Sequence, residues 1–148
     1  MAITIIQKEP ITDKKGLKVM EKITLGKIIN AHRALEEHAG EKVGVKLAFK
    51  LFRFRKEATQ HEEFYATKLG EIVERYSLKS KKGETRYDEK GNALINTEKL
   101  DECKQALAEV ENLEIDKPNL DFTLEELSEL KMSMNDIARL EDFIREEE

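Results

Sequence analysis

Apolar residues recur along this chain with two periods, and the change of period marks its elements. Leu25, Ile28, Ile29, His32 and Leu35 step three or four residues at a time behind Thr24, a good N-cap, and predict a first helix that stops near Gly40. Leu47, Leu51, Phe54, Ala58, His61, Tyr65, Leu69, Ile72 and Tyr76 continue the same spacing without an intervening Pro. That stripe predicts one helix from about residue 46, roughly 45 Å long at 1.5 Å per residue, a length suited to an arm or an elongated bundle. Val43, Val45, Leu47, Phe49 and Leu51 also alternate strictly, so a strand over 43–50 is the rival reading.

Ser80 to Asn96 breaks the helical spacing and predicts a short β-hairpin turning at Gly91-Asn92. Thr97 is the expected cap of a third helix carrying Leu100, Cys103, Leu107 and Val110. Thr123 with Glu126 and Ser133 with Asp136 are capping-box spacings that start two helices, Leu124 to Lys131 and Met134 to about Arg145. At the other end, Ile3 and Ile5 precede Pro10, a turn-rich Asp13-Lys-Lys-Gly16 follows, and Leu17, Val19 and Ile23 alternate. A β-hairpin of residues 2–9 and 17–23 and a loosely ordered arm are both consistent with this. Residues 1–19 therefore read as an appendage and 20–148 as a mainly helical domain. No internal repeat is evident. The expected fold is mainly α: an elongated helical hairpin or bundle with one or two small β-hairpins, or α+β if 43–50 is a strand.

Composition narrows the classes. The chain has 148 residues, 39% of them charged and 39% hydrophobic, with only 2 Pro. No stretch approaches the roughly 18 apolar residues of a transmembrane helix. The single cysteine, Cys103, cannot form an internal disulfide and predicts a reducing, intracellular compartment.

Candidate chemistry is sparse. His32 and His38 are six apart and do not share a helical face, and His61 is followed at the fourth position by Tyr65 where a zinc-protease helix carries a second His. His61 reads as a half-buried histidine, and Cys103 as a small apolar residue on a helix face. No glycine-rich phosphate loop is present, and Lys90 and Lys99 stand where a calcium loop needs oxygen ligands. No cofactor, metal or catalytic set is predicted, and the protein is expected not to be an enzyme.

Charge is the informative polar feature. The net charge is −5, but residues 41–90 hold 13 Lys and Arg against 9 Asp and Glu, and residues 119–148 hold 3 against 10. Lys42, Lys46, Lys50, Arg53 and Lys56 form a candidate basic interaction stripe if 43–56 is helical. Glu125, Glu126, Glu129, Asp136, Glu141 and Asp142 form a candidate acidic face. The basic stripe has three readings: a track for a phosphate backbone, a solvated face, or the partner of the acidic end.

The run Ile23-Thr-Leu-Gly-Lys-Ile-Ile-Asn-Ala-His-Arg-Ala-Leu35 resembles the opening of an uncharacterised family of small tailed-phage and prophage proteins from Gram-positive bacteria. Val45 to Leu51, the Asp88 to Asn92 turn and the acidic Leu124 to Ile144 close are similar to its later segments, so the resemblance covers roughly residues 20–148. It implies phage origin and carries no activity or catalytic residues. The expected function is a non-enzymatic protein-interaction factor, a virion accessory or assembly factor, with a phage or host protein as partner and self-association as one form of it. The alternatives are an inhibitor of a host defence or nucleic-acid-handling protein and, less favoured, a nucleic-acid-binding module on the basic stripe.

Overall fold

The computed structural model describes residues 11–12, 18–19 and 21–146. The described chain is mainly α with small β elements. Helix α1 (Leu25–Glu36) is capped by Thr24, whose hydroxyl accepts the Lys27 N–H. Helix α2 (Val45–Tyr76) has 32 residues, about 48 Å of continuous helix. Helical periodicity thus prevails over strand alternation at 43–50. The reason is burial: Leu47 and Phe54 both face the core, whereas a strand would need one side to take Val45, Leu47 and Phe49 together.

Helix α1 ends at Glu36, before Gly40, and turns through His38 and Glu41 into the start of α2. The α1–α2 hairpin is the frame of the fold. Leu25, Ile28, Ile29, Ala31, Ala34 and Leu35 of α1 and Leu47, Phe54, Ala58 and Tyr65 of α2 share one apolar cluster. Helix α3 (Leu100–Glu111) packs beside both but has no fully buried residue; Leu107 and Val110 are only partly covered, and Cys103 is half-buried rather than in the core. Asn96 caps the 3-10 turn that precedes α3, taking the place expected for Thr97.

Among the described residues the strands form three two-stranded pairings, two of which bind distant parts of the chain. Strand β1 (Ile11–Thr12) pairs antiparallel with β2 (Lys18–Val19). The expected partner strand over 2–9 lies outside the described residues. Ile23 does not belong to that pairing. Strand β3 (Lys22–Thr24) pairs instead with β4 (Glu114–Asp116), placing the buried Ile23 against Ile115. The Leu25 N–H donates to the Leu113 carbonyl at 2.8 Å, which locks the start of α1 to the end of α3. Gly26 permits that approach: a Cβ there would lie 3.2 Å from the Glu111 carbonyl oxygen.

Residues 77–96 contain the expected hairpin, Tyr87 against Ala93 around the Asp88–Asn92 turn, and a second one, Lys79 against Thr85, with Ser77 against Ile95 closing the segment. The Leu78 N–H donates to Leu94 O, Leu94 N–H to Arg86 O, and Arg86 N–H to Leu78 O, closing a ring of three hydrogen bonds at 2.7, 2.9 and 2.9 Å. The spacing of eight reveals a repeat invisible to residue-class patterns. Ser80 and Asp88 each accept two backbone N–H groups two and four residues on, and Gly83 and Gly91 both adopt φ 82°. Asn96 begins the motif a third time, accepting from the Glu98 N–H, before the chain runs into α3. The side chains at the first position differ, because any short side chain with an acceptor oxygen serves there, and glycine at φ 82° completes the first two turns.

The C-terminal part closes the opposite end. Both capping boxes form, but each helix is shorter than expected: α4 spans Leu124–Leu127 and α5 spans Met134–Arg139. Strand β5 (Phe122–Thr123) pairs in parallel with β6 (Ile144–Arg145), so the chain leaves helix early to return to Phe122. Phe54 of α2 meets Phe143 edge-on at 4.9 Å and Phe122 at 5.8 Å, and all three rings are buried.

Candidate functional site

The surface that the core does not explain is the outer face of α2. Core-facing Leu47, Phe54, Ala58, Tyr65 and Ile72 lie on one side of the helix. On the opposite side Val45, Phe49 and Phe52 are 82%, 60% and 50% exposed. They fall at four- and three-residue steps, so they form one row rather than scattered positions. The helix can start at Val45 because Gly44 is extended and its N–H donates to Glu129 Oε1 at 2.8 Å.

Lys46, Arg53 and Lys56 flank this row and are exposed, and Lys56 Nζ stands 5.7 Å from the centre of the Phe52 ring. The candidate basic stripe is therefore brought together in part. Lys42 is exposed in the loop before the helix. Lys50 leaves the stripe: about 100° of helical turn per residue carries it toward the core side. There it donates to Glu126 Oε1 at 2.9 Å and lies 5.2 Å from the Phe122 ring centre. Lys50 therefore drops out of the candidate stripe.

The acidic residues are dispersed by their structural duties. Glu126 accepts from Lys50 and from the Thr123 N–H, so its carboxyl is held below the usual range despite the opposing effect of burial. Glu129 binds the start of α2. Asp136 is buried, closes the Ser133 capping box and binds His38. Asp142 stands 3.7 Å from Lys27 Nζ. Glu125 and Glu141 remain exposed. Three of the six candidates are thus internal fastenings.

The histidines also serve the fold. His38 donates through Nε2 to Asp136 Oδ2 at 3.0 Å, while its Nδ1 meets Glu41. Burial lowers its pKa, but the two carboxylates outweigh burial and raise it above the ordinary value. His32 donates to Glu62 Oε2 at 2.9 Å and lines a cleft of about 190 Å³ with Glu36, His38, Glu41, Leu51 and Arg55. His61 is half-buried, and burial pushes its pKa down against the field of Glu57. Among the described residues no group of three or more His, Cys, Asp or Glu is placed to hold a metal ion, and no helix is long and apolar enough to cross a membrane.

Phe49 and Phe52 are the residues that sequence reading did not single out. Their signal was available as surplus: Val45 and Phe49 fit the strand alternation but not the helical stripe, so once the segment is helical they must lie outside it. Comparison with known proteins adds no relative: no family model, no curated protein and no solved structure matches this chain.

Proposed function

We propose that this chain is a non-enzymatic protein-interaction factor of a phage, a virion accessory or assembly factor, and that it binds through the outer face of the first half of α2. The observation that carries this is the exposed row of Val45, Phe49 and Phe52 opposite the core. Contiguous aromatic surface in water is unfavourable, and covering it is the usual driving force of association. The flanking Lys46, Arg53 and Lys56 suit a partner that offers acidic groups around an apolar centre. The phage assignment rests on the resemblance over residues 20–148.

A second reading, an inhibitor of a host enzyme acting through the acidic end, is favoured by Leu124 and Met134. These are 55% and 85% exposed in a segment that also presents Glu125.

The test is affinity capture from phage-infected cells with the native chain and with Phe49→Asp/Phe52→Asp. Phage structural proteins captured by the native chain and lost with the double variant support the first reading. One host protein in near-equal amount, retained by the double variant and lost with Leu124→Asp, establishes the second. Capture of nucleic acid that weakens steeply with salt overturns both.

A further inference from the structure

We infer that the outer face of α2 is completed by a second copy of the same chain, packed antiparallel across a two-fold axis near Thr59 and Gln60. This rests on the reading of that face as a protein-binding surface and names its occupant.

Three observations converge on one geometry. The first is spacing. Val45, Phe49, Phe52, Lys56, Thr59, Glu63, Ala66 and Gly70 advance by alternating four- and three-residue steps and are all exposed. An average of 3.5 residues is the period of a seam between paired helices, and here it lies on the side away from the core.

The second is charge. Between 45 and 56, α2 carries five Lys and Arg and no acid; between 57 and 76 it carries five Glu against Lys68 and Arg75. On the outer face, Lys46 and Lys56 belong to the first half and Glu63, Glu71 and Glu74 to the second, all exposed. A parallel pair sets like charges side by side. An antiparallel pair brings Lys56 of one copy to Glu63 of the other, and Lys46 to Glu74. The same acidic half opposes a phosphate backbone running along the helix, so a nucleic acid fits this face less well.

The third is size. Gly70 sits inside a helix, where glycine costs about 1 kcal/mol relative to alanine. Nothing within the molecule requires it: a Cβ at Gly70 meets no atom within 4 Å, whereas the one at Gly26 crowds Glu111. Antiparallel pairing carries Phe49 and Phe52 of one copy onto the Ala66–Gly70 stretch of the other. Large rings then meet small residues, and the missing side chain at Gly70 becomes room for a ring. Since the contact is self-complementary, it closes as a dimer and does not propagate.

The test uses the full chain and sedimentation equilibrium, with helix content checked by circular dichroism. The native chain is expected to dimerise at micromolar concentration, and Phe49→Asp/Phe52→Asp to raise the dimer Kd by about 100-fold or more. Lys56→Glu and Glu63→Lys should each be monomeric alone yet form a heterodimer when mixed, because mixing restores both opposite-charge contacts. Gln60→Cys on a Cys103→Ser background should cross-link to itself on oxidation, and Val45→Cys should not. A native chain that stays monomeric at high concentration overturns the inference, as does Val45→Cys linking to itself, or failure of the two charge variants to pair. A monomeric chain that still captures a phage protein through Phe49 and Phe52 removes the second copy and leaves the proposed function standing. A dimer whose capture of phage proteins survives loss of both rings does the reverse.

Discussion

Nε2 of His38 lies 3.0 Å from Oδ2 of Asp136, across 98 residues of sequence. This contact fastens the turn after α1 to the first turn of α5. Glu41 completes it, meeting the other ring nitrogen and accepting the Lys131 N–H. One imidazole thereby joins three segments that carry the C-terminal part of the fold.

The pH dependence of this clasp follows from the signs. His38 is held above its ordinary 6.5, so its contribution is complete below that value and is lost as pH rises through the raised one. Glu41 is held below 4.5, first by the Lys131 N–H, and Asp136 below 3.8, first by His38; their share is lost as pH falls through the lowered values. The clasp is therefore strongest between about pH 4.5 and 6.5. Urea unfolding of native protein and His38→Gln should differ by about 2 kcal/mol in that window, with the gap shrinking toward pH 9. A gap that stays constant up to pH 9 removes the charged clasp from the account of stability.

Phe54 anchors the C-terminal part on α2 through Phe122 and Phe143. Phe54→Ala removes the central ring of a fully buried trio and should cost about 3–5 kcal/mol by urea unfolding. Phe49→Ala, one and a half turns earlier on the opposite face, should change monomer stability by less than about 0.5 kcal/mol. Equal losses at the two positions would falsify the assignment of inner and outer faces.

The glycines at 26 and 70 should respond with opposite sign. Gly26→Val pushes a branched side chain into the Glu111 backbone and should destabilise by about 2 kcal/mol. Gly70→Ala enters open space and should stabilise the dilute monomer by about 0.5–1 kcal/mol. Thermal melts at low protein concentration decide both, since they exclude any effect of association.

Gly83 and Gly91 carry the turns of the 77–96 motif at φ 82°. Alanine at either costs about 1 kcal/mol in that conformation. No residue of this motif belongs to the central apolar cluster, so the damage should stay local. Hydrogen exchange at the Leu78, Arg86 and Leu94 amides should accelerate in Gly83→Ala and Gly91→Ala, while amides of α1 keep their protection. Acceleration in α1 as well would show the motif to be part of the global folding unit.

Much of this architecture was legible from local signals. Thr24, Thr123 and Ser133 cap helices where their side chains predict, because an N-cap bond involves residues only three apart. The long stripe from Leu47 to Ile72 foretold a single helix, because a period of 3.6 over that length admits one solution. The octapeptide repeat escaped notice because its identity lies in hydrogen-bond acceptors and φ angles, which Ser80, Asp88 and Asn96 supply with different side chains.

What the sequence by itself determined is the set of helices and the caps at Thr24, Thr123 and Ser133, all consequences of contacts within a few residues. What only the tertiary structure decided is which polar groups remain for function. Lys50, Glu126, Glu129 and Asp136 looked available as charges on a surface, yet each is engaged with a residue tens of positions away. Phe49 and Phe52 did not stand out in the sequence, yet they stay in water because the core lies on the other side of their helix. Periodicity reports that a helix has faces; the packing of α1 and the C-terminal part against α2 decides which face is left in water.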